Sequence, residues 1–335
     1  MDLALISAII IAVGILMYTF LDGFDLGVGI LFPFAPDDRS RSLMMNSVAP
    51  VWDGNETWLI LGGGGLLVFF PLVYSIVLPA FYIPVMAMLF ALIFRGVAFE
   101  FRHSARTSKY LWDRSFFWGS FVAAFMQGIL IGALISGVKV VDGKFAGGLF
   151  DWFSPFTVLT GLGVVFAYAL SGACWTIWKT EGDTQSWARN MAVISAGGML
   201  IVMAAVSVIT PLIRPEISDR WFNGLNSLFL FPIPMLALVA GALLFYAILS
   251  RKEVMPLLLT YVLFVTGYLG IAISLWPHIV PPSVTIWDAI APDSSVIFAL
   301  IGVGLVLPMV LGYTVYAYTV FKGKVSEDEG YGTEH

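Results

Sequence analysis

The stretch LALISAIIIAVGILMYTFL, residues 3–21, decides the fold class, because it runs for 19 residues without a single charged side chain. A helix that crosses a membrane needs about 20 predominantly apolar residues. The stretch follows Met1-Asp2 directly, without a basic segment before it or a small-residue cleavage motif after it. We therefore predict a retained first transmembrane helix and not a signal peptide.

Eight further apolar stretches of similar length follow along the chain. Of the 335 residues, 59% are hydrophobic and 12% are charged, which is roughly half the charged fraction of a soluble domain. We predict an all-α integral membrane protein with one transmembrane domain over residues 1–325, and a polar, disordered tail over residues 326–335. The predicted spans are 3–32, 50–70, 74–99, 116–136, 154–178, 190–212, 228–249, 255–276 and 295–321.

The distribution of Lys and Arg among the loops predicts the orientation. With nine spans, one side collects 12 of the 17 basic residues and the other side collects four, with Arg95 inside a span. Because loops rich in Lys and Arg stay in the cytoplasm, we predict an external N-terminus and a cytoplasmic C-terminus.

Ionisable residues inside the predicted spans are concentrated in the first three. A charged side chain at the membrane centre costs about 2.5–3.5 kcal/mol on insertion scales, so such residues are functional candidates. By the predicted topology, span one ends, span two begins and span three ends on the cytoplasmic side. Three separate stretches should therefore bring their ionisable residues to similar depth, namely Asp22, Asp25, Asp53, Glu56, Arg95 and Glu100.

Spacing arranges four of these acids as two pairs. Asp22 and Asp25 are three residues apart, as are Asp53 and Glu56, so each pair shares one helix face. Carboxylates that lie close together and partly away from water suit a proton relay. We predict a proton path through Asp53, Glu56, Asp22 and Asp25, with supporting roles for Trp52, Asn55, Trp58, Arg95 and Glu100.

Each group also has a purely structural interpretation. Asp53 and Glu56 follow Pro50, and acids at that spacing in a first turn are typical of a helix start. The acids of span one are also explained as residues at the membrane interface, and the ionisable residues that end span three as snorkelling side chains. The sequence leaves these alternatives open.

Composition excludes several classes of site and partner. The net charge of −5 offers no basic face for nucleic acid. The single cysteine, Cys174, excludes disulfides within the chain and cysteine-rich metal sites. The three histidines, His103, His278 and His335, all lie outside the predicted spans, so we expect no haem or metal ligated by this chain.

Four segments resemble subunit II of the cytochrome bd family of quinol oxidases. DGFDLG, residues 22–27, closes span one, and NSVAPVWDGNETW, residues 46–58, opens span two. FRGVAFEFR, residues 94–102, ends span three, and PHIVPPSVTIWD, residues 277–288, lies in the last outer loop. The resemblance covers the whole chain in order, and Glu56 with the third segment is more similar to the cyanide-insensitive oxidase branch.

The resemblance implies a fold of two four-helix bundles plus one peripheral helix, in the cytoplasmic membrane of a bacterium. It implies a heterodimer with a haem-bearing subunit I, which oxidises quinol and passes electrons to O2 with proton uptake from the cytoplasm. Subunit II then binds no haem itself. Its implied roles are scaffolding in contact with lipid, a proton path at Asp53 and oxygen access near Trp58. Some members also hold a structural quinone or recruit a small single-helix accessory subunit.

Two other functions compete with this interpretation. A proton- or cation-coupled secondary transporter would also carry intramembrane acids, but its binding acids lie at the midplane and its repeats favour an even number of spans. A purely structural subunit would need no titratable group. An absorbance spectrum of the purified complex separates an oxidase from a transporter, and replacement of Asp53 separates a proton conductor from a scaffold.

Overall fold

The computed structural model describes residues 2–105 and 107–325, which are almost entirely helical. Helices of 18 residues or more alternate with short connecting helices and turns. The helices are α1 Leu3–Leu31, α2 Asp38–Val48, α3 Trp52–Phe69, α4 Pro71–Ala80, α5 Tyr82–Ser104, α6 Lys109–Ser136, α7 Pro155–Lys179, α8 Gly182–Ile213, α9 Pro215–Phe222, α10 Leu225–Leu230, α11 Pro232–Leu249, α12 Met255–Leu275, α13 Ile286–Ala289 and α14 Asp293–Val320.

The prediction of about nine membrane-spanning helices is confirmed. Within the described residues, eight helices are long and apolar enough to cross a membrane, and the bent pair α3–α4 makes a ninth if it counts as one span. Asp2 starts α1 as an N-cap, because its carboxylate accepts a hydrogen bond of 3.0 Å from the backbone N–H of Leu5.

The predicted third span, 74–99, was wrong at its beginning. The chain bends by 119° between α3 and α4, so α4 leaves the direction of α3 and the third crossing starts only at Tyr82. Pro71 opens α4 and lacks the backbone N–H that would continue α3. At its other end α5 continues to Ser104, so His103 lies in its last turn and not in a loop.

Two small hairpins mark one end of the molecule. β1 (Val140–Val141) pairs antiparallel with β2 (Lys144–Phe145), and β3 (His278–Val280) pairs with β4 (Val284–Thr285). The N–H of Val138 donates to the carbonyl of Pro281 at 2.9 Å, so both hairpins lie together. We call this the outer end, following the predicted orientation, and the opposite end the inner end.

Helix α1 is the centre of the packing. It contacts α3, α6, α7, α12 and α14, and every residue from Asp22 to Leu31 is buried. Helix α14 lies at the periphery, on α3 and α1. The division of the remaining spans into two four-helix bundles stays a prediction, and the predicted tail, residues 326–335, lies outside the described residues.

Candidate functional site

The inner ends of α1, α3 and α5 bring ionisable side chains into contact. Arg95 of α5 is fully buried and donates to Asp22 Oδ1 at 2.6 Å through one terminal nitrogen. Its other terminal nitrogen donates to Glu56 Oε2 at 2.9 Å. One guanidinium therefore joins an acid of α1 to an acid of α3. Arg95 does not snorkel, because its side chain has no exposed surface.

A second set of hydrogen bonds surrounds Asn55, which directly precedes Glu56 on α3. Its side-chain nitrogen donates to Asp25 Oδ2 at 2.7 Å and to the carbonyl of Leu21 at 3.3 Å. Its side-chain oxygen accepts from the hydroxyl of Tyr318 on α14 at 2.9 Å. Asn55 thus links α1, α3 and α14, and Asp25 receives a neutral donor and no guanidinium.

Several buried polar atoms in this region have no hydrogen-bond partner among residues 2–105 and 107–325. They are Asp22 Oδ2, Asp25 Oδ1, Arg95 Nε and Trp58 Nε1. Buried polar groups are nearly always hydrogen-bonded to protein or ordered water. Two of these atoms are carboxylate oxygens of Asp22 and Asp25, and a third belongs to Arg95, which contacts Asp22, so the geometry is suited to internal water among the acids.

Asp53 and Glu100 occupy a different environment from the buried acids. Both side chains are exposed on the isolated chain. Neither forms a side-chain hydrogen bond or ion pair with another described residue. Asp53 lies in the first turn of α3, whose N-cap is Val51, so Asp53 does not cap the helix through its side chain. A carboxylate in a first turn still interacts favourably with the helix dipole.

The two tryptophans next to these acids have separate surroundings. Trp52 stacks on Phe99 with ring centroids 4.9 Å apart, and the Arg95 guanidinium lies 5.9 Å from the Trp52 ring centroid. Trp58 is 2% exposed and packs inside the molecule. The Trp52 ring therefore forms a wall beside Arg95, whereas Trp58 is buried one turn after Asn55 on α3.

Sequence reasoning missed Tyr318, and it missed a polar group deeper in the membrane. Gln127 donates to the Tyr18 hydroxyl at 2.9 Å and accepts from the Tyr168 hydroxyl at 2.7 Å. Tyr18 lies one turn before Asp22 on α1. No spacing rule identifies these residues, because each helix contributes a single polar side chain, although a glutamine within an apolar span is itself a signal.

A separate charge cluster lies at the inner end, outside the buried network. Arg102 donates to Asp113 Oδ1 at 2.5 Å and to Asp38 Oδ1 at 3.2 Å, which ties α5 to α6 and α2. Lys109 donates to Asp38 Oδ2 at 2.7 Å, and this hydrogen bond lowers the pKa of the Asp38 carboxyl below its usual value. Asp38 therefore stays ionised at neutral pH and helps to hold the inner loops.

An open cavity of about 400 Å³ lies at the outer end, where α4 meets α5 and α6 ends. Its wall combines aromatic rings with one ion pair, in which Lys139 lies 3.1 Å from Asp151. The aromatic lining residues are Phe81, Phe145, Phe150, Trp152 and Phe153. Across residues 2–105 and 107–325, no group of three or more His, Cys, Asp or Glu side chains is arranged to hold a metal ion.

Comparison with known proteins identifies relatives over almost the whole chain. The family model described as cytochrome bd terminal oxidase subunit II matches residues 3–321. Cytochrome bd-I ubiquinol oxidase subunit 2 of Escherichia coli K12 is 29% identical, over 95% of this chain and 94% of the relative. Cytochrome bd ubiquinol oxidase subunit 2 of Bacillus subtilis is also 29% identical, over 96% of both chains. The bd oxidase structure from Geobacillus thermodenitrificans superposes with a TM-score of 0.78 at 15% identity, covering 96% of this chain and 99% of that one.

Proposed function

Because the chain belongs to the cytochrome bd terminal oxidase subunit II family, we propose that it scaffolds a haem-bearing subunit I and carries part of its proton path. Subunits of this family belong to quinol:O2 oxidoreductases of the bacterial cytoplasmic membrane. Electrons leave quinol and reduce O2 to water, which consumes one proton for every electron. The haems belong to subunit I, and this chain supplies protons and support. Its cyanide-insensitive branch, external N-terminus and cytoplasmic C-terminus are part of the same proposal.

The single observation that carries the proton-path proposal is the contact of Arg95 with two carboxylates beside a third. Arg95 holds Asp22 and Glu56 at hydrogen-bonding distance, whereas Asp25 accepts from the neutral amide of Asn55. A fixed cation lets several acids share a buried region, since an unpaired buried charge is costly. Protons can then pass between carboxyl groups through water at the unpartnered oxygens.

Asp53 supports an entrance to this path. It is exposed in the first turn of α3 at the inner end, and Glu56 follows three residues later on the same helix face. Glu56 has 28% of its side chain exposed while it contacts the buried Arg95. The pair therefore leads from an accessible carboxylate to the buried ones.

The exposed faces of α14 and α3 support the scaffold role. Only Val296 and Ala317 of the fully described α14 are buried, and most of the rest of this helix is open to lipid or to a partner. On α3, the neighbouring Gly63 and Gly64 are exposed, and an added Cβ at either would meet no described atom within 4 Å. We propose that subunit I packs on this side of α3 and α14.

The outer cavity fits the ring of a bound quinone. Its volume of about 400 Å³ lies in the range of sites for small organic ligands, and five of its twelve lining residues are aromatic. When bound, a quinone would place its planar ring between the end of α4 and the end of α6. The family resemblance also implies oxygen access near Trp58, whose side chain is buried, and a small single-helix accessory subunit. The open helix faces leave space for such a subunit.

The proton-path proposal is tested by Asp53→Asn in the intact complex. Asparagine keeps the size and one acceptor oxygen, but it cannot take up and release a proton. We expect normal haem content and a loss of most quinol-dependent oxygen consumption, with a milder loss for Glu56→Gln. The matched control is Glu100→Gln, another exposed acid without a described partner, which should retain more activity than Asp53→Asn.

Full turnover of Asp53→Asn from neutral to alkaline pH would mean that Asp53 only favours the start of α3. The scaffold proposal has its own measurement, the absorbance spectrum of the protein that co-purifies with this chain. A haem spectrum from a second subunit supports an oxidase, whereas a colourless preparation from a haem-replete cell supports a transporter.

A further inference from the structure

Helix α14 presents a packing problem that the rest of the chain does not have. It extends over 28 residues, packs mainly on α3 and α1, and has only two buried residues, Val296 and Ala317. Nevertheless its residue Tyr318 must reach Asn55 to complete the hydrogen bonds around Asp25. Because α14 makes few contacts with α3 and α1, a further contact is needed to fix its position at this end.

Lys179, the last residue of α7, makes that connection. Its side chain donates to the carbonyl of Phe321 at 2.6 Å and to the carbonyl of Gly323 at 3.2 Å. These carbonyls lie at and just beyond the end of α14, where backbone oxygens lack helical partners. A lysine here satisfies them and places its positive charge at the negative end of the helix dipole.

The surroundings of Lys179 are unusual for a lysine. The residue is only 4% exposed. Its ammonium lies 5.0 Å from the centroid of the Trp175 ring and 5.2 Å from that of Trp178, distances at which aromatic faces attract a cation. A buried lysine that binds two carbonyls and two rings is held in one position, so its partners are held as well.

A second layer of contacts encloses the same segment. The N–H of Val325 donates to the carbonyl of Lys179 at 2.9 Å. Lys324 donates to the carbonyl of Thr180 at 2.9 Å and lies 3.1 Å from Glu253 in the loop before α12. Residues 321–325 are thereby fastened to the end of α7. We call this set of contacts the clasp.

A continuous series of contacts joins the clasp to Asp25. Trp175, which lies under Lys179, stacks on Phe24 at 4.0 Å between ring centroids. Tyr318 packs edge-on against Trp175 at 6.1 Å and against Phe24 at 6.5 Å. Its hydroxyl then donates to Asn55, which donates to Asp25. The position of Tyr318 therefore depends on the same rings and the same helix end that Lys179 holds.

We propose that Lys179 is a positioning residue for the proton path, which acts by fixing α14 so that the Tyr318 hydroxyl stays on Asn55. This inference rests on the proposed function, because it assumes that the Asn55–Asp25 end of the network takes part in turnover. The simpler interpretation is that Lys179 only caps α14. A cap affects the stability of the helix end but does not couple to Tyr318 in the rate of catalysis.

The test uses the intact complex with Lys179→Met, which keeps most of the apolar stem and removes the donors. We expect the backbone amides of residues 319–325 to exchange with deuterium about tenfold faster or more, since hydrogen bonds from a charged donor are lost. We expect kcat to fall up to about tenfold, the scale of one neutral hydrogen bond, with an unchanged KM for quinol and normal haem content. Lys322→Met, at an exposed lysine beside the clasp, should match the parent in both measurements.

The double variant Lys179→Met/Tyr318→Phe gives the deciding measurement. If Lys179 acts through Tyr318, kcat of the double variant equals that of Tyr318→Phe alone, because residues that act through one contact are not additive. Independent losses that multiply would overturn the positioning role, and so would unchanged exchange in Lys179→Met. If Lys179→Met does not accumulate, Lys179→Gln, which keeps one donor group, is measured in the same way.

Failure of this inference is distinguishable from failure of the proposed function. If Asp53→Asn loses turnover while Lys179→Met keeps it, the proton path stands and Lys179 is only a helix cap. If Asp53→Asn also keeps full turnover, the proton path itself is wrong.

Discussion

Helices α7 and α14 are similar in length and apolar character, but they differ in how much of each helix is buried within the chain. Both qualify as membrane spans, with 25 and 28 residues, and α14 is the more apolar of the two. Yet 61% of the apolar window of α7 is buried within the chain, against 6% for α14. Hydropathy therefore predicts that a segment enters the membrane, but it does not tell a helix packed by its own chain from one left open.

The difference lies in which atoms of other helices pack beside the glycines of each helix. On α7, Gly172 lies against Gly27 of α1, and a Cβ on either glycine would collide with the backbone of the other helix. On α14, no described atom lies within 4 Å of a Cβ placed on Gly302, Gly304 or Gly312. In lipid, close backbone contact is a main source of helix association, so a glycine contributes only where a second helix meets it.

The largest expected effect follows from the α1–α7 contact. Gly172→Val adds a branched side chain where the two backbones touch, and neither helix can move away without disturbing Asp22 and Asp25 on α1. We expect a loss of about 3 kcal/mol or more, the upper end for overpacking, so that little complex accumulates. Quantitative immunoblotting of membranes measures it.

Gly197→Val is the matched control for this substitution, because no described atom lies within 4 Å of a Cβ placed at Gly197, on α8 and away from the α3 and α14 surface proposed for subunit I. A Gly172→Val variant that accumulates like the parent would show that α1 and α7 separate easily. The two helices would then differ in how many atoms surround them, but not in how firmly their positions are fixed.

A smaller effect is expected from Arg95→Met, which tests whether the packed region depends on its ion pairs. The substitution leaves Asp22 and Glu56 without their cation, and breaking a buried pair in this way costs about 3–5 kcal/mol, at the lower end here because Glu56 is partly exposed. We expect a lower thermal midpoint of the purified complex. Combining Arg95→Met with Asp22→Asn should recover part of the loss, since the fully buried carboxylate no longer needs a cation.

Lys109→Met provides the comparison for an exposed ion pair. Lys109 and Asp38 have 36% and 59% of their side chains exposed, so their contact is worth about 0–1 kcal/mol. Equal losses for Arg95→Met and Lys109→Met would contradict the view that burial makes the Arg95 contacts important.

The same contrast explains how far the sequence predicts this molecule. The spans follow from hydropathy, which is a property of each single segment. The proximity of Asp22, Glu56 and Arg95 follows from the cost of intramembrane charge and from the predicted topology, which places the three segment ends on one side. The bend at Phe70–Pro71 does not follow, since the apolar pattern continues through it. Nor do Tyr318 and Lys179, whose roles depend on which helices become neighbours. The environment of Asp53 was equally unpredictable, because exposure depends on surfaces of this chain and of its partner.

The smallest expected effect is that of Gly302→Val on α14. No described atom would meet the new side chain, so the packing of this chain is unchanged and the stability should stay within about 0.5 kcal/mol. The thermal midpoint of the intact complex measures it, beside Gly304→Val and Gly312→Val. Because successive residues are about 100° apart around a helix, the three positions point in different directions, and we expect at least two of them to tolerate valine. A large loss at one position would identify the face of α14 that subunit I covers. Large losses at all three would mean that α14 is as enclosed in the complex as α7 is in this chain. The two helices would then differ only in which subunit packs against them.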